Sequence, residues 1–305
     1  MDQLIGAVDI GGSKVALGIV TRDGRILARR DFASPGLCAA GRDGLHQVIE
    51  ALAAMESSLE VTLQGVGIGC TGPVDPFTGL IGRVDTIPGW NGLSLMEAFG
   101  ERFNVPLAVE NDADASALAE YRLGAGRGSR RFIYITVSTG IGGGAVFDGQ
   151  IYRGAGGAHP EFGHHVIEAS GRPCYCGARG CWEALAAGPA LAASYDARAG
   201  ATGSTARDVC ELARQGSGTA LEAVDQAAFY LGVGLANLAT LFAPDVIALG
   251  GGVMRSWPLF ESRAWQVVRA TCNLVPVDDL VLTPALLGEE LPLAGAAEVW
   301  FSRHG

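Results

Sequence analysis

Three cysteines lie close together in the second half of the sequence, at Cys174, Cys176 and Cys181. Their CxCxxxxC spacing lets three thiolates occupy three corners of a tetrahedron, and His164, ten residues before the first of them, is the obvious fourth ligand. A Cys3His set has no open coordination position, so the pattern favours a structural zinc ion. A free thiol cluster and an iron–sulfur site are the alternatives that the spacing alone leaves open.

A polar run, Glu110 to Ala115, joins an apolar strand to a helix with the sequence ENDADA. Asn and Asp are favoured helix N-caps, and acidic residues suit a helix N-terminus, so capping is one explanation. The other is chemical. A strand that delivers Asn111 and Asp112 side by side to a cleft offers an amide and a carboxylate base in fixed positions, as proton abstraction from an alcohol requires.

Three glycine clusters each follow an apolar strand, at Gly11–Gly12, Gly140–Gly144 and Gly250–Gly252. Backbone N–H groups without a neighbouring Cβ can converge on phosphate oxygens, so the clusters indicate a polyphosphate site. Neither GxxxxGK[ST] nor GxGxxG at a strand-to-helix turn is present, which argues against a P-loop and a Rossmann protein. Asp9, just before the first cluster, either holds Mg²⁺ through water or caps the turn.

The strands that must position these groups follow a repeated layout. Leu4–Ile10 and Val15–Val20 are apolar runs on either side of the first glycine turn, and residues 25–32 extend them to an antiparallel meander. The layout returns as a strand over Phe132–Val137, a turn over Ser138–Gly144 and a strand over residues 145–147. This repetition predicts an internal duplication, typical of a two-lobed protein that grips a polyphosphate between its lobes.

Helices alternate with further strands along the rest of the chain, which indicates an α/β protein. The predicted helices cover residues 44–59, 93–103, 111–123, 188–199, 205–215, 219–242, 258–272 and 293–301. The further predicted strands cover residues 63–70, 105–109, 245–249 and 280–282.

Length and composition describe a soluble globular protein. The chain has 305 residues, enough for about two domains, with 49% apolar and 18% charged residues, which excludes a disordered chain. The net charge of −10 disfavours nucleic acids and anionic membranes as partners. The odd number of cysteines, seven, and the absence of an export signal at the N-terminus lead us to expect a reducing, cytoplasmic location.

Taken together, DIGGSK, NDA, STGIGGG, the ExGH pair and the CxCGxxGCxE block resemble the ROK family of bacterial sugar kinases and repressors. The resemblance runs from the first strand to Gly252. It implies a two-lobed, actin-like ATPase fold (the sugar kinase/Hsp70/actin class) with duplicated mixed sheets. The implied N-terminal lobe is 1–111 joined by a C-terminal helix at about 290–305, and the C-terminal lobe is 112–289 with the zinc loop. A homodimer is implied as well.

The resemblance also implies a reaction, in which the C6 hydroxyl of a hexose attacks the γ-phosphate of Mg-ATP. A glucokinase activity is the first expectation, and a fructokinase or a kinase of N-acetylmannosamine or N-acetylglucosamine is the alternative.

Site residues transfer from the family's motifs one by one. Asp112 resembles the catalytic base, and Lys14, the only lysine of the chain, lies in the first phosphate turn. The implied sugar-binding residues are Asn111, Glu161, His164 and Glu183, with Thr86 in a loop near the sugar. The implied ATP-binding residues are Asp9, Gly11, Gly12, Ser13, Lys14, Thr139, Gly140, Gly142, Gly251 and Gly252. The implied zinc ligands are His164, Cys174, Cys176 and Cys181.

Two departures from the family pattern concern the sugar. Many members carry an asparagine shortly before Pro88-Gly89-Trp90, where this chain has Asp85-Thr86-Ile87. His159-Pro160 replaces the commoner Ala-Gly before Glu161 and resembles fructokinase-like members, whereas the CYCG and GCWE segments resemble glucokinase-like ones. The identity of the hexose therefore stays open.

A transcriptional repressor is the alternative from a different functional class. Repressors of the family carry a helix-turn-helix segment of several tens of residues before the first phosphate strand. Here Met1, Asp2 and Gln3 precede that strand, and the net charge of −10 disfavours DNA binding. We therefore expect an enzyme that binds hexose and ATP and neither DNA nor a membrane.

Overall fold

Two five-stranded mixed sheets organise the chain in the computed structural model, which describes residues 3–305. The strands of the first sheet are β1 (Leu4–Ile10), β2 (Lys14–Thr21), β3 (Ile26–Ala33), β4 (Gly65–Cys70) and β5 (Leu107–Asn111). Their order is β3-β2-β1-β4-β5. The first three strands form the predicted antiparallel meander, and β4 and β5 run parallel to β1.

The second sheet repeats this plan. Its strands are β6 (Arg131–Val137), β7 (Ile141–Phe147), β8 (Gln150–Ile151), β9 (Val246–Gly250) and β10 (Val281–Pro284). Their order is β10-β9-β6-β7-β8, again with an antiparallel meander followed by two strands parallel to its first strand. The duplication that the repeated glycine turns predict is therefore present in the topology.

Ten helices of the described chain connect and cover the sheets. They are α1 (Ser34–Ala39), α2 (Arg42–Ser58), α3 (Leu95–Gly100), α4 (Asp112–Leu123), α5 (Trp182–Ala186), α6 (Gly188–Ala199), α7 (Ala206–Arg214), α8 (Gly218–Phe242), α9 (Trp257–Thr271) and α10 (Leu291–His304). Among residues 3–305, none of the helices combines the length and the apolar composition that crossing a bilayer requires.

The last helix, α10, packs against the first sheet although it follows the second in sequence. Trp300 and the carbonyl of Ala296 lie where Cβ atoms on Gly65 and Gly67 of β4 would be, so these glycines let the helix approach the strand closely. A buried apolar cluster continues from α10 through α4 to both sheets, with Ile5 on one side and Phe132 on the other. The division into lobes 1–111 plus 290–305 and 112–289 is compatible with this packing and stays a prediction.

One boundary predicted from the sequence is wrong. The turn expected over Ser138–Gly144 ends at Gly140, and the three following glycines belong to β7, where they pair with β6. Close packing explains them, since a Cβ on Gly144 would lie 2.7 Å from Asp114 Oδ1 and 2.8 Å from the Ala117 Cβ of α4. Gly144 thus serves helix–sheet packing, and Gly143 serves close packing within the sheet, where a Cβ would lie 2.5 Å from the Tyr134 carbonyl oxygen of β6.

Candidate active site

The carboxyl ends of parallel strands bring the candidate residues of the first sheet to one edge. Asp9 of β1 pairs with Gly69 of β4, and Gly69 pairs with Glu110 of β5. Asp112 begins the helix that follows β5 directly. Ligands of open α/β sheets bind at such strand ends, so this edge is the floor of the candidate site.

Asp9 and Asp112 both lie beside Gly69. A Cβ on Gly69 would be 3.5 Å from Asp9 Oδ1 and 3.6 Å from Asp112 Cα, so both aspartates border this position of β4. Burial and the charge of Asp112 raise the pKa of Asp9 to about 7, and burial also raises the pKa of Asp112. Two enclosed carboxylates next to each other are typical of a site that handles a proton or a cation.

Asn111 is the N-cap of α4. Its Oδ1 accepts hydrogen bonds from the N–H groups of Ala113 at 2.8 Å and Asp114 at 3.3 Å, and its Nδ2 donates to Gly72 O at 3.2 Å. The capping explanation for this residue is therefore realised in the structure. The Asp112 side chain also accepts from Ala113 N, through Oδ1 at 2.9 Å, and so is held at the helix start.

The first glycine turn touches the loop that the family places near the sugar. A Cβ on Gly12 would lie 2.7 Å from the Thr86 Cβ, and Gly11 N donates to Lys14 O at 2.9 Å to close the turn. Ser13 and Lys14 are exposed, and Lys14 Nζ lies 3.5 Å from Asp31 Oδ2. The ammonium group thus lies at the surface in a long, weak ion pair.

The other two glycine turns meet at the ends of β6 and β9. Gly251 has a left-handed φ of +89°, and a Cβ on Gly252 would lie 3.8 Å from Ser138 Oγ. Glu183 of α5 reaches the same place, where its Oε2 accepts from Ile141 N at 2.8 Å and lies against Gly140. Of the candidate phosphate residues here, Thr139 and Gly140 lie in the turn, whereas Gly142 lies inside β7.

The predicted metal ligands come together in space. One ligand atom from each of His164, Cys174, Cys176 and Cys181 lies within 4.8 Å of the others. The Sγ atoms of Cys176 and Cys181 are 3.6 Å apart, and Cys174 Sγ is 3.6 Å from His164 Nδ1. Tetrahedral zinc with bonds of about 2.3 Å to sulfur separates its ligand atoms by about 3.8 Å, so these four residues fit such an ion.

Tyr175 is a neighbour of this cluster that the sequence did not single out. Its hydroxyl is 2.9 Å from His164 Nε2, and the two rings meet edge to face with centroids 5.1 Å apart. Its side chain is 81% exposed, and its hydroxyl lies close enough to Glu183 and Glu161 for their charges to act on it. The His164 ring thus directs Nδ1 to the cysteines and Nε2 to a displaceable hydroxyl near both carboxylates.

Glu110, just before Asn111, is a buried carboxylate held by two arginines. Arg303 of α10 donates to its Oε2 at 3.1 Å, and Arg153, which follows β8, donates to the same oxygen. Sequence reasoning missed this triad because its members are 43 and 193 residues apart. The triad joins β5 to α10 and to the segment after β8. Its Glu110 lies two residues before Asp112, the candidate base, in the sequence.

His159 and Asp114 form another contact that the sequence did not predict. Their Nδ1 and Oδ2 atoms are 2.7 Å apart. Glu161, two residues after His159, is exposed, and its carbonyl accepts from the N–H of His164 at 3.0 Å. The structure thus brings Glu161, His164 and Glu183 to one region around Tyr175. The charges of both glutamates act on the Tyr175 hydroxyl, which is hydrogen-bonded to His164.

The whole length of the chain resembles sugar kinases of known sequence and structure. The ROK family profile matches residues 5–303. A glucokinase of Streptomyces coelicolor is 34% identical over an alignment of 314 residues that covers 96% of this chain and 96% of that protein.

Two solved structures with at least 33% identity share the fold. One is a ROK family glucokinase from Streptomyces griseus in complex with glucose and AMPPNP, 33% identical, with a TM-score of 0.80 over 99% of this chain and 100% of that chain. The other is a ROK hexokinase from Thermus thermophilus, 34% identical, with a TM-score of 0.83 over 99% and 100% of the chains. This likeness confirms the predicted actin-like ATPase fold with duplicated mixed sheets.

Proposed function

Because the chain belongs to the ROK family, we propose that it is an ATP-dependent hexose kinase that phosphorylates the C6 hydroxyl of glucose. Its full-length likeness to glucokinases supports the reaction and the substrate. The observation that carries the mechanism is the position of Asp112, enclosed beside Asp9 at the strand ends where the first glycine turn also lies.

Asp112 is the general base of the proposed mechanism. Its carboxylate takes the proton of the C6 hydroxyl while that oxygen bonds to the γ-phosphorus of ATP, and the bond to the bridging oxygen of ADP breaks. The N-terminal position on α4 fixes the carboxylate through the Ala113 N–H, so the base is oriented before the sugar arrives.

The glycine turns and Asp9 bind the phosphates in this proposal. N–H groups of the first two turns donate to phosphate oxygens, and Gly251 and Gly252 lie near the nucleoside. Mg²⁺ enters with ATP and neutralises charge on the β- and γ-phosphates. Asp9 holds it through water, and the exposed Lys14 ammonium adds a positive charge from the rim of the same turn.

The hexose lies between the base and the cysteine loop. Asn111 keeps one amide proton that no described protein atom accepts, Glu161 is exposed, and Glu183 has one carboxylate oxygen beyond the one that Ile141 uses. His164 turns Nε2 toward this space, and Thr86 closes it from the side of the first glycine turn. These five residues offer both donors and acceptors to sugar hydroxyls.

A structural zinc ion on His164, Cys174, Cys176 and Cys181 completes the proposal. When bound, the ion supplies a fixed charge and a closed tetrahedral anchor and no open coordination site for chemistry. Its ligands hold the His164 ring, so Nε2 is oriented toward the sugar. By analogy with the family we also propose a homodimer, and the thiolate ligands favour a reducing, cytoplasmic compartment.

A coupled assay with a panel of hexoses tests the function. We expect turnover with glucose, and we expect Asp112→Asn to lower kcat by roughly a thousandfold or more with an unchanged circular dichroism spectrum and retained glucose binding. Wild-type protein that turns over neither glucose, fructose, mannose nor N-acylhexosamines would remove the proposal. Near-normal activity of Asp112→Asn would assign the base to another residue.

A further inference from the structure

His159 and Asp114 form a buried ion pair next to the proposed base. The Nδ1–Oδ2 distance is 2.7 Å, and the side chains are 14% and 1% exposed. Asp114 lies in the first turn of α4, two residues after Asp112, and His159 lies in the loop after β8, two residues before Glu161. The pair therefore joins the helix that carries the base to the loop that carries a proposed sugar ligand.

His159 is the cation at hydrogen-bonding distance that compensates the negative charge of the buried Asp114 carboxylate. Its other oxygen, Oδ1, is buried and has no hydrogen-bond partner within residues 3–305. Burial raises the pKa of Asp114, while the hydrogen bond and charge of His159 lower it; the charge of Glu110 raises it further, and the more weakly acting charge of Arg153 lowers it. A neutral side chain at position 159, such as the alanine that is commoner in the family, would leave this carboxylate without a cation at hydrogen-bonding distance.

The imidazole carries its positive charge readily at this position. Burial alone would lower the pKa of His159, but the hydrogen bond and charge of Asp114, with the charges of Glu161 and Asp112, raise it above the usual value. Nε2 makes no hydrogen bond with the described residues, so Asp114 alone fixes the ring.

The charge on His159 acts on Asp112 in turn. Burial raises the pKa of Asp112, the positive charge of His159 lowers it, and the charge of Asp114 raises it. The other titratable groups that interact with Asp112 are Asp9 of β1, Cys70 of β4 and Tyr134 of β6. None of these three can carry a positive charge, so the imidazolium is the group of this set that favours an ionised base.

We propose that His159, held by Asp114, is a positioning residue that ties the Glu161 loop to α4 and brings a positive charge to the helix turn that carries Asp112. The inference rests on the proposed function, because it takes Asp112 as the base. It assigns a role to two residues that the family motifs do not include, and it gives a physical reason for a histidine where the commoner sequence has Ala-Gly.

The pH dependence of kcat/KM for glucose tests the role of the charge. In His159→Gln, the negative charge of Asp114 acts on Asp112 without the opposing positive charge of the imidazole. We therefore expect the acidic limb of the kcat/KM profile to move up by about 1 pH unit. Activity should fall by up to roughly tenfold on the acidic side of that limb and recover at high pH. The double variant Asp114→Asn/His159→Gln removes both charges, so its limb should return to within about 0.3 unit of wild type. The exposed His46→Gln serves as the control.

Two results of that series would overturn the proposal. A loss in His159→Gln that is equal at every pH would mean that the histidine only packs the loop. A raised KM with an unmoved limb would mean that it binds sugar directly and does not act through Asp112.

Nuclear magnetic resonance titration of the imidazole tests the pair without reference to activity. The chain has five histidines, so the His159 signal can be assigned by its loss in His159→Gln. In Asp114→Asn we expect its midpoint to fall by at least about 1 pH unit, and an unchanged midpoint would refute the pair. This readout survives if no hexose is phosphorylated, which separates failure of the pair from failure of the proposed function.

Discussion

The orientation of each polar side chain in this site is set by the hydrogen bonds that it makes. The Asp112 carboxylate is fixed by one backbone N–H, and Asn111 uses its Oδ1 to cap the same helix. The ENDADA run therefore caps the helix in a geometry that also suits the proposed site, and the two explanations that the sequence left open are compatible. Local sequence could place these residues at a helix start, but the enclosing groups come from distant segments.

Tyr175 gives a prediction at the same scale. Its hydroxyl is hydrogen-bonded to His164 Nε2 at 2.9 Å. We propose that the same nitrogen binds the sugar, so a bound hexose must displace the tyrosine hydroxyl. Removing the hydroxyl in Tyr175→Phe should lower KM for glucose about fivefold, since a net hydrogen bond is worth about 1 kcal/mol. kcat should stay within about twofold. Steady-state kinetics measures both.

Tyr152→Phe is the matched control for that measurement, because Tyr152 is partly exposed and its ring packs only on Phe147 and Phe242. A higher KM in Tyr175→Phe would show instead that the tyrosine hydroxyl helps to bind the sugar.

At the scale of elements, the cysteine loop and α5 form one unit. The loop carries three proposed zinc ligands, and Glu183 follows Cys181 by two residues on α5, where it bonds to Ile141 N. The spacing of the cysteines was enough to predict the cluster. The contact with Ile141 was not predictable, because it joins residues 42 apart in the chain.

Removal of the metal should therefore weaken glucose binding before it lowers the stability of the fold. We expect about one zinc per chain by elemental analysis. Chelation should raise KM for glucose at least about tenfold while the melting temperature falls by only a few degrees, because none of the four ligands belongs to either of the two large cores. Reconstitution with zinc is the control. Iron in the purified protein, or a full loss of structure on chelation, would contradict the expectation.

The close approach of α10 to β4 gives a second prediction for an element. The Ala296 carbonyl fills the place of a Cβ on Gly67, and backbone cannot move aside as a side chain can. Gly67→Ala should lower the free energy of unfolding by about 2–4 kcal/mol, seen as a fall in the melting temperature. Gly36→Ala in α1, where a Cβ meets nothing within 4 Å, is the control and should leave stability unchanged or raise it by up to about 1 kcal/mol. Equal effects of the two changes would refute the role of this contact.

For the molecule as a whole, the repeated glycine turns predicted two similar halves, and the strand orders of the two sheets agree with that prediction. Apolar periodicity placed most helices within a few residues. The glycines at 142–144 were misassigned to a turn because a glycine needed for close packing looks the same in sequence as one needed for a bend. The triad of Glu110, Arg153 and Arg303 left no local pattern, since ion pairs between distant segments arise only on folding.

That triad links the halves and yields a prediction for the whole molecule. Arg153→Met removes one of two guanidiniums from the buried Glu110, so we expect the free energy of unfolding to fall by about 2–4 kcal/mol. Arg130→Met, which breaks a pair with Asp148 whose side chains are 83% and 59% exposed, is the control and should change stability by less than about 1 kcal/mol. Urea unfolding followed by circular dichroism compares them, and equal losses would contradict the assignment.

The contact of Thr86 with Gly12 has a consequence for how the two substrates affect each other. The Thr86 segment, which we propose lies beside the sugar, contacts the turn proposed to hold the nucleotide, so we expect each substrate to change the affinity for the other. Free energies of binding are then linked, and the change that glucose makes in nucleotide affinity must equal the change that nucleotide makes in glucose affinity.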